Sequence, residues 1–285
     1  MGKYTKNFKE LPILFNKLIV SERDLNFVIS GMTGEGKSTL LIQIMKYYCK
    51  LRGIKFSFDM LTWSREELMT WIDGKKDKNN ARVGCKPFFT PIGIDELFHL
   101  FYRRQWFKGD QISGIQCLNM CRDKKLLIGG CVPNFWDLDS AFASRIRFYI
   151  YIPKRSVAWV FEQENSPYAK DKWNYNYNMK MFSKYGNPYF LKGFVMEILY
   201  DDLTDKEKID YNKIRNTKRV LALEEEQTNQ TKEERYKDIK KQRDRLIKLL
   251  YGLSDEYKTK LTYKDLSDVL GVSQSAIKMI MIGQR

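Results

Sequence analysis

The feature that most constrains this chain is a glycine-rich segment, Gly31 to Ser38, that directly follows the apolar run Phe27-Val28-Ile29. Its letters, GMTGEGKS, fit the pattern GxxxxGK[ST], in which a loop between a strand and a helix turns its N–H groups toward a phosphate. Glycines permit that turn because they have no side chain to obstruct it. The next segment, Thr39–Met45, is typical of a helix, whose positive N-terminus would face the anion. The pattern therefore predicts a nucleotide-binding α/β domain.

Each residue type in this loop has a chemical reason. Lys37 is predicted to contact the β- and γ-phosphates, and Ser38 is predicted to place its hydroxyl on Mg²⁺. The alternative is a glycine-rich turn that matches by chance, and the strand before it and the helix after it disfavour that alternative. The residues predicted to bind ATP in this segment are Gly31, Met32, Thr33, Gly34, Glu35, Gly36, Lys37, Ser38 and Thr39.

A second acidic element is needed if the nucleotide is to be hydrolysed. The run from Phe88 to Ile94 is followed by Asp95-Glu96, which is typical of a strand that delivers a metal-binding aspartate and a catalytic glutamate. Asp95 is the predicted Mg²⁺ ligand, and Glu96 is predicted to accept a proton from the attacking water. The alternative is that both acids simply begin the next helix, where carboxylates favour the dipole. Pro91 fits awkwardly in a central strand, which predicts a short strand that begins near Ile92.

Length and charge limit the class of protein. The 285 residues suffice for one α/β domain and a smaller appendage. The formal charge of +15 favours a polyanionic partner, and double-stranded DNA is the predicted one. A basic surface without a partner is the alternative. No apolar run approaches a membrane span, and no signal-peptide core is found, so we expect a cytoplasmic protein without membrane contact. The five cysteines form no CxxC pair, which disfavours a zinc site.

Strand-like and helix-like segments alternate along the first 200 residues. Such alternation predicts an α/β fold with a mostly parallel sheet covered by helices. The predicted domain boundaries are 1–200 for the nucleotide-binding domain, 201–243 for a charged helical linker and 244–285 for a small all-α domain. The predicted strands are Phe27–Ser30, Ile54–Asp59, Ile92–Asp95, Leu126–Gly130 and Phe148–Ile152.

The C-terminal segment resembles a helix-turn-helix. Two short apolar-periodic stretches meet at Gly271, with Thr262 and Ser273 as suitable N-caps. The second helix would present Gln274, Ser275 and Lys278 to a DNA major groove. The alternative is a helical hairpin for protein contacts, because the motif alone does not fix its ligand.

Three further positions could complete a nucleotide site. Asn134 follows the apolar run Leu126–Gly130 and could sense the γ-phosphate. Arg145 is the first candidate for an arginine finger that reaches a neighbouring subunit, and Arg147 is the second, although either could be a plain surface cation. The basic and aromatic segment Arg103–Asp110 could bind nucleic acid or pack into the core.

The order of these motifs resembles the FtsK/HerA-type P-loop ATPases of mobile elements, a group that includes viral packaging motors and zonula-occludens-toxin-like ATPases. The resemblance covers about residues 20–155 and depends on the P-loop and Asp95-Glu96. It implies a RecA-like core, a homo-oligomeric ring and ATP-driven movement of DNA. Asn134 stands where the family usually has glutamine, and the helix-turn-helix is not part of the family's core.

The sequence leaves the type of function open between classes. The first hypothesis is an ATPase that translocates DNA, with Lys37, Glu96 and Arg145 as catalytic residues. The second is a DNA-binding regulator or replication loader in which ATP only switches conformation. A small-molecule kinase would explain the P-loop, but it would explain neither the charge nor the C-terminal motif.

Overall fold

The computed structural model describes residues 4–21, 24–76, 82–97, 124–166 and 169–222, and in the C-terminal part 224, 239–241, 243–244, 247, 262–271 and 273–282. The chain forms two compact units, Met1–Ala222 and Leu223–Arg285. The first unit therefore extends past the predicted boundary at residue 200. The reason is that Leu203 and Tyr211 are buried in its core instead of lying in a solvated connector.

An eight-stranded, mostly parallel sheet forms the centre of the first unit, in the order β1-β10-β9-β8-β2-β7-β6-β3. The five strands β8-β2-β7-β6-β3 are parallel to one another, whereas β9 is antiparallel to both β8 and β10. A two-stranded antiparallel ribbon, β4-β5, stands apart from the sheet. The strands are β1 (Thr5–Asn7), β2 (Leu25–Gly31), β3 (Leu61–Thr62), β4 (Lys75–Lys76), β5 (Arg82–Val83), β6 (Pro91–Ile94), β7 (Leu127–Val132), β8 (Phe148–Lys154), β9 (Val157–Glu162) and β10 (Phe194–Leu199).

Three neighbouring central strands, β2, β7 and β6, are buried along their whole length. Continuous apolar runs of this kind are typical of parallel strands that are covered on both faces. Two separate clusters of buried side chains provide that cover. One contains Phe15, Leu41 and Ile198, and the other contains Ile72, Ile128 and Phe142. The mixed α/β architecture with a mostly parallel sheet is therefore confirmed.

Eight helices of four residues or more are described. They are α1 (Glu10–Ser21), α2 (Lys37–Arg52), α3 (Arg65–Asp73), α4 (Ser140–Ala143), α5 (Tyr175–Tyr185), α6 (205–222), α7 (Tyr263–Leu270) and α8 (Gln274–Ile282). Local chemistry sets several of their starts. The Ser64 hydroxyl accepts a hydrogen bond from the Glu67 N–H at 3.1 Å and so caps α3. Thr204 caps α6 with Glu207, whose carboxylate accepts from the Thr204 N–H at 2.9 Å.

The strand predicted over Ile54–Asp59 is wrong. A 3₁₀ turn over Phe58–Met60 occupies its end, and the strand β3 begins only at Leu61. The Ser57 hydroxyl oxygen accepts from the Asp59 N–H at 3.2 Å, so a side chain satisfies the backbone group that a strand ladder would use. The other four predicted strands are present with shifted ends.

Pro91 heads the central strand β6 without breaking the sheet. Its neighbour β3 pairs only with Gly93 and Ile94, so no ladder partner faces Pro91 on that side. Proline is tolerated at the first residue of a strand for this reason. The strand starts one residue earlier than expected and ends directly before Asp95.

The second unit contains α7 and α8, which are separated by Gly271 in the left-handed conformation. Ser273 caps α8, because its hydroxyl accepts from the Ala276 N–H at 3.3 Å. Ile277 is fully buried, whereas Gln274, Ser275 and Lys278 are exposed. Within the described parts of both units, no helix combines the length and the apolar character needed to cross a membrane.

Candidate nucleotide site

The loop from Gly31 to Ser38 joins the end of β2 to the start of α2. Gly36 has φ +93° and stands at the N-cap of α2, a conformation that L-residues with side chains rarely adopt. A Cβ at Gly31 would lie 2.9 Å from the Ile152 carbonyl oxygen, which leaves room only for glycine. The loop is thus a P-loop by geometry as well as by sequence.

Lys37 curls back over this loop. Its Nζ donates hydrogen bonds to the Gly31 and Met32 carbonyl oxygens at 2.8 and 2.9 Å. The ammonium is therefore held at the mouth of the loop by two neutral acceptors. Because a phosphate oxygen forms a stronger, charge-assisted bond than a carbonyl, the lysine is placed to exchange these partners for an anion.

Ser38, in the first turn of α2, is in direct contact with Asp95, which follows β6. The Ser38 hydroxyl donates to Asp95 Oδ1 at 2.6 Å, and the Asp95 side chain is 4% exposed. The other carboxylate oxygen accepts a hydrogen bond from the Tyr211 hydroxyl on α6. Burial, and then the nearby Asp95 carboxylate, raise the pKa of Tyr211, so its hydroxyl remains a donor at physiological pH. The two predicted metal ligands are thus in contact, and a tyrosine orients one of them.

Glu96 follows Asp95 with φ +100°, a conformation that is rare for a non-glycine residue. Such strain costs on the order of 1–3 kcal/mol and persists where the surrounding structure enforces it. The Glu96 side chain also contacts α6, because Arg219 Nη2 lies 3.0 Å from Glu96 Oε1. The predicted catalytic glutamate is therefore adjacent to the metal ligands and paired with an arginine.

These residues fit a magnesium-bound triphosphate. The glycine positions give the loop its anion-binding curvature, and Lys37 supplies a cation. A serine hydroxyl and a buried carboxylate are oxygen ligands of the kind that Mg²⁺ uses beside substrate phosphates. Ser38 and Asp95 are the residues that would hold the metal, and Lys37 with the loop N–H groups would hold the phosphates.

The remaining predicted residues lie at different distances from this centre. Met32 and Thr33 are exposed at the tip of the loop, and Thr39 is half-buried in α2. The Glu35 carbonyl accepts from the Tyr200 hydroxyl at 3.1 Å, which fixes the loop to the chain beyond β10. Gly34 has φ +89° and open space around it.

Asn134 lies beyond the end of β7, the strand between β2 and β6. Its side chain is used within its own turn, because Oδ1 accepts from the Trp136 N–H at 3.3 Å and Nδ2 donates to Asp137 at 3.2 Å. The Asn134 side chain is thus engaged within its own turn, and its contact with a γ-phosphate stays a prediction.

The two candidate arginine fingers differ in their surroundings. Arg147 is engaged with Glu162 at 3.0 Å, whereas Arg145 is half-buried in the turn between α4 and β8. Arg145 stays the first candidate for a contact between subunits. The segment Arg103–Asp110 lies outside the described residues.

Sequence reasoning missed Tyr200, Tyr211 and Arg219, all of which contact the site. The high charge of residues 201–243 predicts a connector. Two signals could have identified it as part of the domain. Thr204 and Glu207 have capping-box spacing, and Tyr211, Lys218 and Arg219 share one helix face at intervals of seven and eight residues.

No protein family matches the sequence, and no curated protein matches it. Among solved structures, the N-terminal domain of zonular occludens toxin from Neisseria meningitidis is 14% identical at a TM-score of 0.36, covering 64% of this chain and 96% of that chain. The genome packaging NTPase B204 from Sulfolobus turreted icosahedral virus 2, in complex with ATP-gammaS, is 12% identical at 0.33, covering 49% and 92%. The FIGL-1 AAA domain in complex with ADP is 20% identical at 0.33, covering 51% and 50%. At these scores, the geometry of the chain itself decides the assignment.

Proposed function

We propose that this protein is a magnesium-dependent ATPase that uses hydrolysis to move double-stranded DNA. The observation that carries the ATPase assignment is the 2.6 Å hydrogen bond from Ser38 to the buried Asp95, beside a P-loop with its lysine in place. An isolated glycine-rich turn would not bring a hydroxyl at the start of α2 into contact with a buried carboxylate that directly follows β6.

The chemistry follows from these positions. Lys37 and the loop N–H groups bind and orient the triphosphate, and Ser38 with Asp95 holds the metal. When bound, Mg²⁺ supplies charge neutralisation on the phosphates. Glu96, next to Asp95, accepts the proton of the attacking water. Tyr211 keeps the Asp95 carboxylate in one orientation, so little reorganisation is needed when the site fills.

Charge and the second unit support DNA as the partner. The formal charge is +15, and residues 1–200 contain 31 basic and 19 acidic side chains. A protein with this net positive charge attracts polyanions, and its binding releases the counterions that are condensed on nucleic acid. In the second unit, α8 exposes Gln274, Ser275 and Lys278 while Ile277 is buried, which fits a helix that reads DNA.

A RecA-like core that assembles as a homo-oligomeric ring is the architecture we propose for the motor. The strand order supports it, because β7 separates the P-loop strand β2 from the Asp95 strand β6 and ends at Asn134. Arg145, at the end of α4, is the residue that we propose to complete a neighbour's site. In such a ring, an Arg145→Ala protein mixed with Glu96→Gln subunits tests whether the arginine acts across the interface.

The decisive experiment measures ATP hydrolysis with and without duplex DNA. We expect duplex DNA to stimulate turnover. We also expect Glu96→Gln to bind MgATP as tightly as the parent but to hydrolyse it at least about 100-fold more slowly, which is the effect of losing a general base. Glu66→Gln, on the exposed face of α3, is the matched control and should keep the parental rate. A Glu96→Gln protein as fast as the parent would remove Glu96 from the mechanism.

Movement of DNA needs a separate assay. A translocase strips the third strand from a triplex on long duplex DNA when ATP is supplied. An ATP-switched regulator binds the same DNA and leaves the third strand in place. Retention of the triplex, together with DNA-stimulated hydrolysis, would refute translocation and leave the ATPase assignment standing.

A further inference from the structure

One face of α6 contacts the acidic pair of the candidate site and a third acidic residue, on α3. Tyr211 donates to Asp95, Arg219 lies 3.0 Å from Glu96, and Lys218 lies 2.8 Å from Glu67. The Lys218 ammonium also donates to the Leu61 carbonyl at 2.7 Å. Residues seven and eight positions apart lie on the same face of a helix after two turns. The contacts therefore depend on one rigid element and not on separate loops.

The start of this helix is fixed to the P-loop helix. Lys46 on α2 forms an ion pair with Glu207, and Glu207 also accepts from the Thr204 hydroxyl at 2.7 Å. Tyr200, just before the helix, donates to the loop carbonyl of Glu35 at 3.1 Å. The chain from 200 to 222 is thus attached at both the phosphate loop and the acidic pair.

On the basis of the proposed ATPase function, we infer that α6 regulates the site through two positioning residues with opposite effects. Tyr211 holds Asp95 in the orientation that binds the metal, and so supports turnover. Arg219 holds Glu96 Oε1 in an ion pair, so the carboxylate has to leave the guanidinium before it can turn toward an attacking water. Arg219 therefore restrains turnover until its pair with Glu96 opens.

The two contacts differ in a way that fits these roles. The Tyr211 hydroxyl and Asp95 are both buried, so their hydrogen bond is shielded from water and persists. The Arg219 and Glu96 side chains are 43% and 30% exposed. A pair that water can reach is weak and opens easily. The helix can therefore release the glutamate without giving up the aspartate.

Steady-state kinetics of single variants test the inference. Arg219→Gln should raise kcat in the absence of DNA about two- to fivefold, the range released by losing a solvent-accessible ion pair, with KM for ATP unchanged. Tyr211→Phe should raise the Mg²⁺ concentration for half-maximal turnover about tenfold or more, because a bond to a buried charge is lost. Lys213→Gln, exposed on the same helix, is the control and should change neither value.

Hydrogen exchange of the nucleotide-free protein gives a readout that does not need turnover. Exchange of the amides in 205–222 should accelerate in Arg219→Gln and Tyr211→Phe but not in Lys213→Gln. If the parent hydrolyses ATP and Arg219→Gln is equally fast or slower, the restraint is refuted. If no protein hydrolyses ATP, the proposed function fails first. Unchanged exchange in Arg219→Gln and Tyr211→Phe would independently refute the contacts of α6.

Discussion

Replacing Ser38 with alanine tests the central contact of the site in the absence of any nucleotide. The change removes the hydroxyl that donates to Asp95 Oδ1 at 2.6 Å, and it leaves the buried carboxylate with the Tyr211 hydroxyl and the Cys131 thiol as partners. A hydrogen bond to a charged group contributes about 1.5–3 kcal/mol to stability. For a unit of this size, each kcal/mol shifts the melting temperature by about 2–4 °C. We therefore expect the first unit of Ser38→Ala to melt about 3–12 °C lower.

The assay is thermal unfolding in buffer that contains EDTA, followed by the same measurement with MgATP. A ligand at 100 times its dissociation constant stabilises the folded state by about 2.7 kcal/mol, which corresponds to about 5–11 °C for the parent. Ser38→Ala should lose the part of this shift that depends on Mg²⁺. Ser38→Thr keeps the hydroxyl and is the matched control, so it should resemble the parent in both measurements.

Two results would refute this reasoning. If Ser38→Ala has the same melting temperature as the parent in EDTA, the hydrogen bond to Asp95 contributes nothing to the stability of the nucleotide-free protein. If it also keeps the full Mg²⁺-dependent shift, Ser38 does not hold the metal. A loss of stability that Ser38→Thr shares would show that the position tolerates only serine for steric reasons.

Two further predictions concern packing and pH. Gly129→Ala should lower the stability of the first unit by about 1–3 kcal/mol or more, because the new Cβ would lie 2.3 Å from Phe27 Cζ. Denaturant unfolding of the variant and of the parent measures the change. The hydrogen bond from Lys46, with those from Thr204, lowers the pKa of Glu207 below its ordinary value of 4.5. The ionised carboxylate therefore stabilises the fold fully above pH 4.5, and this contribution is lost as pH falls through the lowered pKa. The difference in melting temperature between the parent and Glu207→Gln should therefore shrink toward pH 3, and a constant difference from pH 7 to pH 3 would contradict the role of this carboxylate.

Most of the sheet could be predicted from sequence because its strands are short apolar runs between clear breaks. The P-loop was equally readable, since its glycines and Lys37 have a spacing that only a few structures use. The strand over Ile54–Asp59 failed because Ser57 and Asp59 form local hydrogen bonds that compete with a ladder. Apolar periodicity does not report such competition.

The contribution of α6 could not be read from composition. Its charged residues are typical of a solvated linker, and the sequence does not show that Tyr211 turns toward a carboxylate more than 100 positions earlier. Pairing over such a separation depends on how the helix packs, which the local pattern does not determine. The same limit applies to Arg219 and Glu96. The cap formed by Thr204 and Glu207, and the spacing that places Tyr211 and Arg219 on one helix face, are the parts local enough to be recognised in advance.

The glycines of the central strands explain why the two predicted metal ligands, Ser38 and Asp95, can meet. A Cβ at Gly93 would lie 2.6 Å from the sulfur of Met45, and one at Gly129 would lie 2.7 Å from a methyl group of Leu41. Both partners belong to α2, so the glycines let this helix pack directly on β6 and β7. Ser38 lies in the first turn of the same helix, and its 2.6 Å contact with Asp95 requires that close packing. Gly129→Ala should therefore raise the Mg²⁺ concentration for half-maximal turnover as well as lower stability, although residue 129 is neither of the predicted metal ligands.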